Sequence, residues 1–105
     1  MTDEKKQQLI DCLTEAGFWS AEDKGDPSTE EEAVGLVLDR MYKRVGPSVG
    51  FIYVPSTTEQ EQHEVQVSWE GGLQTLATST SLNYVICSAA QALPEFLKQH
   101  PELVA

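Results

Sequence analysis

Residues 63–80 read HEVQVSWEGGLQTLATST, and this stretch decides the fold. Val65, Val67 and Trp69 alternate with Glu64, Gln66 and Ser68, the period-two pattern of a strand with one buried face. Glu70-Gly71-Gly72 reads as a hairpin turn, since glycine reaches the backbone conformations that tight turns need. Leu73 to Thr80 is the return strand, rich in threonine and less regular in pattern. Upstream, Ser48 to Val54 is apolar on both faces: Val49, Phe51 and Tyr53 on one, Ile52 and Val54 on the other. That composition predicts a central strand covered on both sides. Pro55 to Gln62 is a polar loop, so residues 48–80 form a three-stranded antiparallel meander.

Helical patterns lie on both sides of the meander. Residues 3–16 form a first helix, with Leu9, Cys12, Leu13 and Ala16 at helical spacing and Gly17 as its stop. Phe18 and Trp19 follow directly and are expected to dock on the core. Residues 20–28 are an acidic connector broken by Gly25 and Pro27. Residues 29–45 form a second helix, with Ser28 or Thr29 as its cap and Glu31 or Glu32 as the capping-box partner. Its apolar stripe is Val34, Val37, Leu38, Met41 and Val45, and Arg40, Lys43 and Arg44 sit where cations complement the helix dipole. Ser81 caps a last helix over 82–98, broken or bent near Pro94, and the tail after it is expected to fray. Helices grouped at the ends of an antiparallel meander give an α+β fold with two N-terminal helices and one C-terminal helix.

The chain has 105 residues, one domain spanning 1–105, too short for a β/α barrel, a doubly wound dehydrogenase or a kinase. At 40% hydrophobic and 23% charged residues it is too apolar to be wholly disordered. Asp and Glu number 17 against 7 Lys and Arg, a formal net charge of -10. That balance argues against direct nucleic-acid binding, which needs cations to displace counterions, and against anionic membrane surfaces. The acid is concentrated: residues 1–32 hold 10 acids and 3 bases, whereas residues 33–58 hold one acid and three bases. Met1 to Lys6 has no apolar segment behind it, so no signal peptide is expected, and the reading is cytoplasmic. Cys12 and Cys87 are the two cysteines, taken as reduced thiols in buried helix faces. No spacing of Cys and His suggests a metal site, no pattern suggests a cofactor, and no nucleophile stands near His63 or His100 in sequence.

From the second helix to the third, the element order resembles a double-stranded-RNA-binding domain. In that family lysines opening the final helix reach phosphates, whereas Thr80-Ser81-Leu82-Asn83 carries no charge, so RNA binding does not carry over. The runs Trp69-Glu70-Gly71-Gly72, Leu76 to Leu82 and Val85-Ile86-Cys87-Ser88-Ala89-Ala90 resemble small phage and prophage proteins of the "ABA sandwich" type. That resemblance implies an accessory protein of a mobile element and transfers no catalytic residues.

Two surfaces are candidates for a partner. Glu22, Asp23, Asp26, Glu30, Glu31 and Glu32 form a carboxylate surface suited to a basic or nucleic-acid-binding protein. Asn83, Tyr84, Cys87 and Gln91 form a charge-free face of the last helix, the composition of an interface core, and with Leu36 they suggest a homodimer surface. The functional expectation is an acidic, non-enzymatic protein-binding module, of the kind by which a phage inhibits a host defence or nucleic-acid-handling protein. The alternatives are a self-associating assembly protein of a mobile element and an immunity-type nuclease inhibitor.

Overall fold

The computed structural model describes residues 3–55 and 62–105. Helix α1 (Asp3–Ala16) and helix α2 (Glu31–Arg44) precede strands β1 (Gly50–Val54), β2 (His63–Trp69) and β3 (Gly72–Ser79). Helix α3 (Leu82–Gln99) and a 3-10 turn (Pro101–Leu103) complete the chain. The α+β class and the element order are those expected. Residues 56–61, the middle of the expected polar loop, lie outside the described residues and take Glu59 and Glu61 with them.

The sheet is antiparallel in the order β1-β2-β3, so β2 is central and β1 is an edge. This corrects the reading of β1 as central. An apolar run records stickiness on both faces, not position; in a meander the strand in the middle of the sequence is the middle of the sheet. Phe51 and Tyr53 pair with Val67 and Val65 and share their face, while Ile52 and Val54 lie on the other. Ile52, Tyr53 and Val54 are 42%, 39% and 39% exposed, far from the doubly covered strand expected. The irregular pattern of β3 has a local cause. Val65 pairs with Ala77 and Gln66 with Thr75, so Leu76 is an extra residue at a bulge. Leu76 and Ala77 both pack towards the core although adjacent, which breaks strict alternation.

Helix α3 is the hub. It packs on β2 and β3 with one side and on α1 and α2 with others. Val85, Ala89, Leu93 and Phe96 recur at helical spacing and are buried, and so are Cys87 and Ala90 on a neighbouring face. Burial on more than one side explains why the helix carries so few charges. Its helical geometry continues through Pro94, so the expected break does not occur. Pro94 removes one backbone donor, and the packing of α3 against the rest of the molecule outweighs that loss. The tail does not fray. Gly46 N–H donates to the Leu103 carbonyl at 2.8 Å, Ala105 N–H to the Arg44 carbonyl at 3.0 Å, and Leu103 is buried.

The end of α1 is closed twice. Gly17 takes a φ of +89°, which a Cβ would strain, and this lets Phe18 N–H reach the Leu13 carbonyl at 2.8 Å and Gly17 N–H the Thr14 carbonyl at 3.1 Å. Two arginines of α2 take the carbonyls that follow. Arg44 donates to Gly17 O at 2.8 Å and stacks over the Phe18 ring, and Arg40 donates to Phe18 O at 2.9 Å. Two of the three cations read as dipole compensation for α2, Arg40 and Arg44, therefore fasten the end of α1, while Lys43 pairs with Asp39 on α2 itself. Phe18 and Trp19 are buried in the core, as expected.

Candidate functional site

The six connector carboxylates divide into two groups. Asp23 accepts both guanidinium nitrogens of Arg40, at 2.6 and 2.9 Å, and the Ser20 N–H at 2.7 Å. The Arg40 hydrogen bond holds its carboxyl down at about 2, against an ordinary 3.8. Asp26 is buried. Burial works to raise its pKa, but hydrogen bonds from Ser28 and Thr29 and the charge of Lys6 at 3.8 Å outweigh that and lower it. Ser28 donates to Asp26 through both N–H and Oγ, and Thr29 through Oγ1. Those hydroxyls are thus held one turn before α2, and the helix begins at Glu31 with Glu30 at its cap position and no side-chain cap. This corrects the assignment of Ser28 or Thr29 as N-cap. Glu30 turns back to accept the Asp26 N–H at 2.6 Å, closing the turn.

Asp23, Asp26 and Glu30 are therefore fixtures of the connector. Glu22, Glu31 and Glu32 are exposed, and none makes an ion pair or side-chain hydrogen bond among the described residues. Sequence proximity grouped six acids; the fold leaves three for solvent or a partner.

The proposed oligomer face is also divided. Cys87 is fully buried, its Sγ 3.7 Å from the Pro27 carbonyl, and burial pushes its thiol up to about 12. It belongs to the core, which corrects its place on an outer face. Leu36, Asn83 and Tyr84 are half-buried, with Leu36 and Tyr84 packed against the core. Tyr84 and exposed Gln91 border a shallow depression of about 230 Å³ between α1 and α3, beside Cys12. Cys12 is exposed, contrary to the expectation of a buried helix cysteine, because it falls on the solvent side of Leu9 and Leu13.

A site the sequence reading missed lies between the first half of α2 and the start of α3. A groove of about 510 Å³ is lined by Val34, Gly35, Leu38, Leu82 and Ile86, with Glu31 at its acidic rim. Glu31, Gly35 and Leu38 follow one another at helical spacing along one wall. Gly35 has an ordinary helical backbone, and a Cβ built there meets nothing within 4 Å. A glycine inside a helix costs roughly 0.5–1 kcal/mol relative to alanine. Among the described residues no contact requires that cost at Gly35. Leu82, one residue after the α3 cap, is 42% exposed. The signals were present in sequence: a glycine inside AVGLVL and a leucine directly after a cap.

The remaining reactive groups are engaged elsewhere. His63 Nδ1 lies 2.6 Å from the Tyr53 hydroxyl, and His100 stacks on Phe96 beside Trp69. Glu64 is lowered by hydrogen bonds from Gln66 and Thr75 on the outer face of the sheet. Among the described residues no cluster of His, Cys, Asp or Glu is gathered to hold a metal ion, and no helix is long and apolar enough to cross a membrane. No protein-family model, curated protein or solved structure matches the chain.

Proposed function

We propose that the protein is an acidic, non-enzymatic binding module that docks on a basic partner protein. The observation that carries this reading is the division of the connector acids. Glu22, Glu31 and Glu32 stay exposed with no side-chain partner among the described residues, while neighbouring Asp23, Asp26 and Glu30 are tied into the fold. In a chain of net charge -10, exposed carboxylates, with Glu31 lining an apolar groove, favour encounter with a cationic surface and reject anionic ones. The likeness of residues 69–90 to small phage accessory proteins makes inhibition of a host defence or nucleic-acid-handling protein the version proposed; the immunity-type nuclease inhibitor has the same chemistry.

The test is capture from a bacterial lysate by the tagged protein, at low salt and at about 1 M salt, where the Debye length falls to about 3 Å. A basic protein held at low salt and released at high salt is the expected result. A partner of neutral or acidic surface, or one held equally at both salts, overturns the reading.

Self-association is a second reading, favoured by a different observation. Edge strand β1 (GFIYV) carries no charge or proline, and Ile52, Tyr53 and Val54 are exposed on it. Light scattering over a concentration series tests it, and a strictly monomeric protein rejects it.

A further inference from the structure

We infer that the groove between α2 and α3 is the contact site for one amphipathic helix of the partner, with basic residues flanking its apolar stripe. The inference rests on the acidic-module reading and assigns its surface.

Three observations converge on this groove. Its lining is mainly apolar, from Val34, Leu38, Leu82 and Ile86, with Thr29 and Asn83 as neutral polar members. Gly35 opens the wall where any other side chain would stand, so a partner backbone can approach α2 closely there. The charged residue that lines the groove is Glu31; Glu32 follows it, and both lack a partner among the described residues. An apolar seat with an anionic end that no side chain pairs among the described residues is complementary to an apolar stripe with cations beside it.

The form of the occupant follows from the backbone. The walls of the groove are helices, whose main chain beyond the free N–H groups of the first turn is bonded along each helix, so an extended segment would find no ladder of hydrogen bonds there. A helix brings its own. The wall from Glu31 to Leu38 runs about 10 Å at 1.5 Å per residue, two helical turns, which matches anchors at i, i+3 or i+4, and i+7.

The probe is a synthetic helical peptide with leucines at i, i+3, i+4 and i+7 and lysines on both flanks, titrated into the intact protein while backbone amide resonances are followed. A second peptide carries glutamate in place of lysine. The expected result is that the lysine peptide shifts Gly35, Leu38, Leu82 and Ile86, and that the glutamate peptide does not. Gly35→Leu fills the seat with a better helix former and is expected to weaken the lysine peptide by about tenfold or more. Leu82→Lys, at an exposed position, is expected to weaken it similarly and serves if Gly35→Leu unfolds. Shifts elsewhere, no binding, or equal affinity for wild type and both variants overturns the inference. So does a concentration-dependent shift of these amides without peptide, which would make a second copy of this chain the occupant. Salt-sensitive capture of a basic protein by wild type and Gly35→Leu alike rejects this groove and leaves the acidic-module reading standing. Loss of that capture in wild type rejects the reading itself.

Discussion

The two halves of α2 share one buried apolar stripe but put their polar residues to opposite uses. In the C-terminal half, Arg40 binds Asp23 and the Phe18 carbonyl, Arg44 binds the Gly17 carbonyl and the Phe18 ring, and Lys43 pairs with Asp39. In the N-terminal half, Glu31 and Glu32 have no partner among the described residues, Gly35 faces open space, and Leu38 lines a groove. One half fastens α1 and the connector to the body. The other half also gives Ala33, Val34 and Val37 to the core, and its outer side carries exposed carboxylates with no side-chain partner among the described residues. Net charge alone does not tell which carboxylates are free to meet a partner; the fold's own hydrogen bonds separate them.

The largest effect is expected where the fold depends on α2. Arg40→Met leaves Asp23 without its guanidinium and the Phe18 carbonyl without its donor. It is expected to cost about 2–3 kcal/mol, below the range for a fully buried pair because Arg40 keeps some exposure. Urea unfolding measures it, and a cost under about 0.5 kcal/mol, the range of ordinary surface changes, breaks the contrast between the halves.

The same pair sets an acid dependence. Asp23 has a folded-state pKa lowered to about 2 from an ordinary 3.8, so its ionised form favours the folded state. Its stabilising contribution is fully present above the unfolded value. It is lost as pH falls from about 3.8 through about 2. Asp26 is shifted in the same direction and adds to the loss. The unfolding midpoint of the wild type is therefore expected to drop over that interval, and the drop is expected to be smaller in Arg40→Met. Identical pH profiles for the two proteins would show that Arg40 does not set the Asp23 carboxyl.

In the other half the expected sign is reversed. Gly35→Ala meets nothing within 4 Å and removes the backbone freedom of glycine from the unfolded chain. A gain of roughly 0.5–1 kcal/mol is expected in thermal or urea unfolding. A loss would mean that Gly35 serves the fold rather than the surface.

Much of this architecture was legible in sequence, and the reasons differ by element. The bounds of α1, the Glu70-Gly71 turn and the inward alternation of Val65 and Val67 follow from local rules, and local rules read well from a single chain. The misreadings are of position in space. β1 is apolar enough for a central strand, yet the meander places it at the edge. Cys87 falls off the best apolar stripe of α3, yet α3 is buried on several sides, and the connector passes close enough for its Pro27 carbonyl to meet the thiol. Pro94 predicts a break by its missing N–H, and packing overrides it. The candidate site was half legible. Composition marked the acids, but only three-dimensional hydrogen bonding separates Asp23, Asp26 and Glu30 from Glu22, Glu31 and Glu32. The groove spans two helices far apart in sequence; Gly35 and Leu82 each mark one wall, but nothing local to either helix brings the two together.

A modest effect on stability is expected to accompany the largest effect on binding, and one comparison measures this. Glu31→Lys/Glu32→Lys changes two exposed residues with no partner among the described residues. Its folded-state cost is restricted to the charge preference of a helix N-terminus, about 0.3–1 kcal/mol for each residue. Retention of a basic partner at low salt is compared between this variant and the wild type, both confirmed folded. The account predicts that the wild type retains the partner and the folded variant loses it. Equal retention by the two proteins would contradict it.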